Sequence, residues 1–440
     1  MRVGNGCGLV GCGTVGGGVV RLWSEPGHAP GARLAAVAVR DVRKPRTADL
    51  GGMALTADPW RVVRDPRIRL VVEATGDAGL GRDLAVECFR RGKSFVTAGK
   101  ELVARCGPEL ESLAGSAGVA FRYEAAAGGA LPLVALLRLG LSPGGVRGFE
   151  GVLNGTCNFI LSRLDRGLRF AAALDRAREQ GFAEADSGRD TSGRDTAEKL
   201  VILARLCGVR LEPGALEVRG IEGLGPEDAA FARRRGWSLR LLACFHDGDP
   251  VVASVGPALV PRASLLAQAR DEENAVLLDA GPAGTLGIVG RGAGALPTAS
   301  AILADVREVL RGGHLRHPPA PRAPPRIAAE APGTSRHYVR LEGRGEPGPD
   351  LVRALDAAGV ALDVLSSPRR GCVQAVTASA PTAIVRRVVA AVPSTESHVI
   401  PVRDEQPAVA RPSFGSSPAD ARDSHRYQPD SLPGVIAQSR

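Results

Sequence analysis

The chain has 440 residues, 44% of them apolar, 23% charged and 4% aromatic, with a formal net charge of +9. That length allows two or three domains with cores of their own, and the positive charge is scattered arginine without a basic block, which argues against a nucleic-acid binder and suits an anionic cofactor and substrate. Eight cysteines stand singly, without Cys-x-x-Cys or metal-ligand spacing, and no apolar run could span a bilayer or act as a signal peptide; reduced thiols in a soluble, cytoplasmic protein with no membrane partner are expected.

Residues 7–23 read as a buried strand, a glycine turn and a helix, with Gly11-x-Gly13-x-x-Gly16 at the turn. Those glycines let helix-start N–H groups approach a pyrophosphate, the fingerprint of a dinucleotide site. A second strand covers 33–41. Arg40 at its end, with Arg43 and Lys44 beyond, suits an adenosine 2′-phosphate, so NADP is favoured; Asp41 keeps NAD open. Strands at 69–76 and 94–100, a helix at 79–91, a strand at 119–125 and a helix running on from Leu131 complete an α/β pattern, a Rossmann-type doubly wound parallel sheet. Thr75, Gly76 and Lys100 are placed at its carboxyl edge, where ligands bind.

This dinucleotide-binding domain spans 1–145, with a return segment at 296–312 following a turn at 290–298. Residues 146–295 mix strands and helices as a second, α+β domain. The stretch 313–334, rich in Pro, Ala and Arg, reads as a linker, 335–404 as a small β-α-β-β-α module, and 405–440 as a disordered tail.

The second domain holds the segment richest in chemistry, Glu184 to Ala204. Residues 195, 199, 202, 203 and 206 share one face of a 3.6-period helix, so Asp195 and Lys199 lie on the stripe of Ile202, Leu203 and Leu206. A partly desolvated lysine beside a carboxylate is a usable proton donor. Taken alone, such a pair is more often an i,i+4 salt bridge with Asp195 as a helix-start acid. Reducing an aldehyde also needs an acid for the nascent alkoxide, and the histidines (28, 246, 314, 317, 337, 398, 425) and tyrosines (123, 338, 427) are poorly placed for it. Lysine remains, at 199 or 100.

Together these residues resemble homoserine dehydrogenase, from about residue 6 to 312 and more weakly to 404. The motifs carrying the resemblance are the glycine turn, Val96–Ala104, Tyr123–Pro132, Leu153-Asn154-Gly-Thr156-Cys-Asn158, the segment 184–199 and Gly290–Ser300. The resemblance implies NAD(P)-dependent interconversion of L-aspartate 4-semialdehyde and L-homoserine. It assigns Lys199 as the catalytic lysine and Asp195 as its supporting acid. Glu184, helped by Asp190, holds the substrate ammonium, with Lys100 and Thr156 as further substrate contacts. Gly11, Gly13, Thr14, Val15, Gly16, Arg40, Thr75, Gly76, Lys100 and Gly294 fall to the cofactor.

Backbone carbonyls of Glu124, Ala127, Gly129 and Leu131 match a sodium site. The second domain is then also the dimerisation domain of a homodimer or homotetramer, and the C-terminal βαββα module is an ACT-like effector domain. The family usually has Asn where Gly99 stands, Gly at Ala130, Pro at Ser187, Thr at Cys157 and Val at Ala127. Two further readings stay open: a paralogous dehydrogenase for another amino- or hydroxy-aldehyde, and a catalytically inactive nucleotide sensor.

Overall fold

The structure is a computed structural model that describes residues 6–28, 31–46, 48–140, 145–183, 187–312, 325–329, 334–343 and 345–403. Glu184 and the expected tail lie outside the described residues.

Gly6–Val10 (β1) is buried at every position, as a parallel strand covered by helices on both faces must be. It is followed by α1 (Thr14–Ser24), β2 (Arg33–Ala38), β3 (Ala54–Thr56), α2 (Pro59–Arg64), β4 (Ile68–Glu73), α3 (Ala78–Arg90), β5 (Ser94–Thr97), α4 (Lys100–Ser116), β6 (Phe121–Arg122) and α5 (Leu133–Leu139). The strands are all parallel in the order β3-β2-β1-β4-β5-β6. This is the doubly wound sheet expected from the sequence, and its order reverses between β1 and β4, opening a crevice at their carboxyl ends.

The strands expected to end at 41, 76, 100 and 125 each stop three residues earlier, and at the last two a side chain captures a following backbone donor. The Gly99 N–H donates to Thr97 Oγ1 at 2.9 Å, so β5 stops at Thr97 and Lys100 opens α4 instead of ending a strand. After β6 the Glu124 N–H donates to the Asp305 carboxylate at 2.8 Å, and a 3-10 turn over Glu124–Ala126 replaces the extended chain expected to 125. The Glu124 carboxylate then accepts the Val134 and Ala135 N–H groups, capping α5.

The second region runs β7 (Gly148–Val152), α6 (Gly155–Asp165), α7 (Phe170–Glu179), α8 (Gly188–Thr191), α9 (Arg194–Leu206), β8 (Glu217–Val218), α10 (Pro226–Arg234), β9 (Trp237–His246), β10 (Val251–Pro261), α11 (Leu265–Gln268), β11 (Glu273–Asp279) and β12 (Thr285–Arg291). Its strands form an antiparallel array β12-β11-β7-β9-β10. α12 (Ala295–Leu310) then returns to the first sheet, burying Ile302 and Val306 against Leu9, Val37 and Val19. The two helices nearly touch at Gly18, where a Cβ would lie 2.5 Å from the Ala295 carbonyl oxygen.

Within the stretch read as a linker, β13 (Ile327–Ala328) pairs with β10. The C-terminal module continues as β14 (Arg336–Glu342), α13 (Pro347–Ala357), β15 (Leu362–Arg369), β16 (Cys372–Thr377), α14 (Thr382–Ala391) and β17 (Glu396–Val402). It is thus β-α-β-β-α-β, one strand more than expected, because β17 pairs with β14 along its whole length despite Pro401. The order β17-β14-β16-β15 joins the second sheet where Leu259 of β10 meets Val402.

Candidate active site

The glycine turn can be read atom by atom. At Gly11, φ is +93° and a Cβ would sit 2.5 Å from the Ala74 carbonyl oxygen; at Gly16 it would sit 2.0 Å from the Gly11 carbonyl oxygen. Both positions therefore need glycine for the turn itself. Around Gly13 a Cβ would meet nothing within 4 Å, because this glycine faces open space at the start of α1. That is the property a motif needs where a pyrophosphate must approach the backbone.

Two adjoining cavities flank the turn. One, of about 630 Å³, is lined by Gly11, Arg40, Asp41, Lys44, Arg46, Thr75 and Gly76 among others. The other, of about 720 Å³, is lined by Gly13 and Thr14 and, from the helix after Gly294, by Ala295 and Leu296. Val15 packs its side chain against the core, leaving its backbone at the turn. Arg46 adds to the basic groups expected at the end of the second strand. The Asp41 carboxylate accepts the Arg43 N–H at 2.8 Å and its carbonyl accepts from the Arg46 guanidinium, so Asp41 is engaged within its own loop. These residues fit a dinucleotide. Beneath Thr75, the buried Glu73 carboxylate accepts the Thr75 N–H and hydroxyl and the Thr97 hydroxyl, tying together the loops after β4 and β5.

The lysine–aspartate pair lies beside this crevice. Gly193, at φ +83°, turns the chain from α8 into α9 and sets Asp190 and Asp195 on the same side. Lys199 Nζ lies 3.0 Å from Asp195 Oδ2 and donates to the Leu153 carbonyl at 2.5 Å. The Lys199 and Asp195 side chains are only 9% and 5% exposed. The other Asp195 oxygen accepts from Lys100 Nζ, which reaches in from the first turn of α4. One carboxylate thus joins the two lysines singled out from the sequence, one from each region.

Burial opposes ionisation of Asp195, but the ammonium groups of Lys199 and Lys100 outweigh it and hold the carboxyl well below the usual range. Asp195 in turn raises the Lys100 pKa against burial. Asp190 is displaced upward, by burial first and then by the charge of Asp195.

Asn154 was quoted from the sequence only as part of a motif, yet it bridges both aspartates. Its Nδ2 donates to Asp190 Oδ1 at 2.8 Å and to Asp195 Oδ2 at 3.0 Å, while its Oδ1 caps α6 by accepting the Cys157 N–H at 2.7 Å. Helix-cap periodicity could have located the cap, but not the two acids, which come from 36 and 41 residues away. The Cys157 thiol, pushed well up by burial, donates to the Asp190 carbonyl at 3.1 Å. Thr156, expected to touch substrate, donates its hydroxyl to the Phe182 carbonyl at 2.6 Å, so its side chain holds the loop before 184. Arg189 bridges Glu101 of α4 and Glu198 of α9, linking the two regions at the rim.

For the four carbonyls of the expected cation site, those of Glu124 and Leu131 already accept from Ala127 and Leu133 N–H. A carbonyl oxygen has two lone pairs, so this leaves each able to face an ion. Among the described residues no cluster of three or more His, Cys, Asp or Glu could hold a metal, and no helix is long and apolar enough to cross a membrane.

The departures from the family pattern have local accounts. Ala130 has no positive φ and needs no glycine. Ser187 contributes its carbonyl to the turn of α8, a role open to proline too. At Gly99 a Cβ would press Thr97 Oγ1 at 3.2 Å and Glu73 Oε2 at 3.3 Å. Cys157 still donates a hydrogen bond where a threonine hydroxyl would, whereas nothing in the structure explains Ala127 in place of valine.

Comparison with known proteins gives the family of the chain. A family model described as "Homoserine dehydrogenase, NAD binding domain" matches residues 11–124, and one described as "Homoserine dehydrogenase" matches 132–306. The chain is 38% identical to homoserine dehydrogenase of Synechocystis sp. over 314 residues, covering 69% of this chain and 72% of that one. With homoserine dehydrogenase of Bacillus subtilis it is 34% identical, covering 70% and 73%. The crystal structure of a homoserine dehydrogenase from Thiobacillus denitrificans superposes with a TM-score of 0.82 at 31% identity, covering 91% of this chain and 98% of that one.

Proposed function

Because the chain belongs to the homoserine dehydrogenase family, whose NAD(P)-dependent reaction interconverts L-aspartate 4-semialdehyde and L-homoserine, we propose that Lys199 carries the proton of that reaction and that Asp195 positions it. When bound, the nicotinamide supplies or accepts the hydride at C4. Lys199 has three N–H donors. Leu153 and Asp195 take two, and the third is assigned to the substrate oxygen, where it donates to the forming alkoxide or stabilises its charge.

The observation carrying this reading is the buried Asp195 carboxylate shared by Lys199 and Lys100. A surface i,i+4 pair would need neither burial nor a second lysine from another region. Asp190, with Glu184, holds the α-ammonium; Lys100 faces the carboxylate end and the nicotinamide. Thr156 acts on the substrate through the loop its hydroxyl fastens.

The cofactor preference follows from the second-strand loop. Arg40, Lys44 and Arg46 line one cavity while Asp41 is occupied by its own turn, which favours a 2′-phosphate and hence NADP over NAD. A sodium ion at the carbonyls of Glu124, Ala127, Gly129 and Leu131 would brace the turn joining the regions. The second-domain sheet is assigned to a homodimer interface, and the βαββαβ module to an ACT-like effector domain.

The test is oxidation of L-homoserine with NADP and NAD in parallel, by the wild type and by two variants whose folding is checked by thermal melting. Asp190→Asn is expected to raise KM for homoserine about tenfold or more with less effect on kcat. Asp195→Asn should lower kcat by ~10²-fold or more. A wild-type KM in the first and a wild-type kcat in the second would remove both assignments.

A further inference from the structure

We infer that Asn154 is a positioning residue for the dehydrogenase reaction: its single amide holds Asp190 charged toward the substrate ammonium and Asp195 oriented toward the two lysines. The inference rests on the assignment of Asp190 and Asp195 made above and adds the group that makes two neighbouring acids compatible.

Asn154 is 4% exposed, with both amide hydrogens and the amide oxygen engaged. Its orientation follows from its partners, since only the amide oxygen can accept the Cys157 N–H. Both Nδ2 hydrogens therefore face carboxylates, one on each aspartate. Asp195 is buried and Asp190 partly so, and two carboxylates in such a site repel, the usual relief being for one to take up a proton. A protonated Asp190 would have no charge to offer an ammonium group. The amide opposes that outcome by donating to both anions without adding a charge of its own.

The charged groups around Asp190 are Asp195 and Lys199 from α9 and Lys100 from α4. The Cys157 thiol comes from α6 and donates to the Asp190 carbonyl; Arg189 is turned outward to Glu101 and Glu198, and Glu222 accepts from neighbouring Thr191. Burial and the charge of Asp195 push the Asp190 pKa up, while the Asn154 hydrogen bond and the two lysines pull it down. Removing the amide therefore displaces Asp190 toward its protonated form. The acidic limb of kcat/KM, which reports the free enzyme, should move to higher pH.

Asn154→Ser and Asn154→Asp separate this role from helix capping, because serine and aspartate are both good N-caps for α6. Serine cannot reach both acids. Aspartate keeps the shape but replaces two donors by acceptors and adds a third negative charge. Each variant and the wild type would be assayed for L-homoserine oxidation across pH, with NADPH binding followed by fluorescence.

The expected result is unchanged NADPH affinity in both. For homoserine, KM should rise about tenfold in Asn154→Ser and further in Asn154→Asp, with the acidic limb of kcat/KM displaced upward by about a pH unit or more. Wild-type KM and an unmoved acidic limb in both folded variants would leave Asn154 as a helix cap only and overturn the inference. An Asp190→Asn control reports the underlying assignment separately. If its KM is that of the wild type, Asp190 does not hold the ammonium and this inference falls with that reading.

Discussion

Asp195 accepts from Lys100 on one oxygen and lies against Lys199 on the other, with less than a tenth of its surface in water. The i,i+4 spacing disclosed half of this arrangement. The other half is a lysine 95 positions earlier in the chain, which the sequence placed at the carboxyl edge of the sheet but could not join to Asp195. Asn154 shows the limit more sharply, since its partners lie in segments that only the fold brings together. At the cofactor turn the glycines were legible as a motif but not as individuals. Gly16→Ala forces a Cβ onto a backbone carbonyl and should destabilise the chain by at least ~1–3 kcal/mol even without cofactor. Gly13→Ala meets open space, so its melting temperature without cofactor should match the wild type while NADPH binds about tenfold more weakly. Thermal melts with and without NADPH distinguish them; equal melting temperatures for the two variants would contradict this reading of the turn.

Among the elements, α9 was visible through helical periodicity but the four-residue α8 was not, whereas β6 was overestimated because its pairing is cut short by Asp305, 181 residues away from Glu124. β17 was missed for the opposite reason. Pro401 weakens a local strand signal, but the long edge of β14 recruits the segment anyway. On β14, His337 is fully buried; Nε2 lies 2.7 Å from Thr382 Oγ1 and Nδ1 has no partner among the described residues. Burial, then the nearby Arg386, Arg403 and Arg219, lower its pKa to about 4.

The folded state therefore binds fewer protons than the unfolded one between the ordinary histidine value and about pH 4, so stability rises with pH across that window. It is fully present above about pH 6.5 and lost as pH falls toward about 4, by on the order of 1–3 kcal/mol. His337→Gln should flatten the pH dependence of the melting temperature in that range. A slope as steep as that of the wild type would show that other groups carry it.

For the whole molecule, the doubly wound sheet presents a dinucleotide crevice and the first turn of α4, while the second region brings the acids and Lys199 to the same edge. The class of the first region was legible because its glycine turn and buried parallel strands are local patterns, and that of the second only as a mixture of strands and helices. The continuity of the second sheet into the C-terminal module was not, because a single residue pair, Leu259 with Val402, makes the join between β10 and β17. The two regions meet at Asp195, and the proposed mechanism puts that meeting to chemical use at Lys199. Its most direct test is L-homoserine oxidation by wild-type chain and Lys199→Ala, with NADPH affinity measured by fluorescence on the same samples. The account predicts homoserine-dependent NADP reduction by the wild type and a loss of ~10²–10⁴-fold in kcat for the variant, with NADPH affinity unchanged. Turnover close to wild type in a folded Lys199→Ala variant would contradict it.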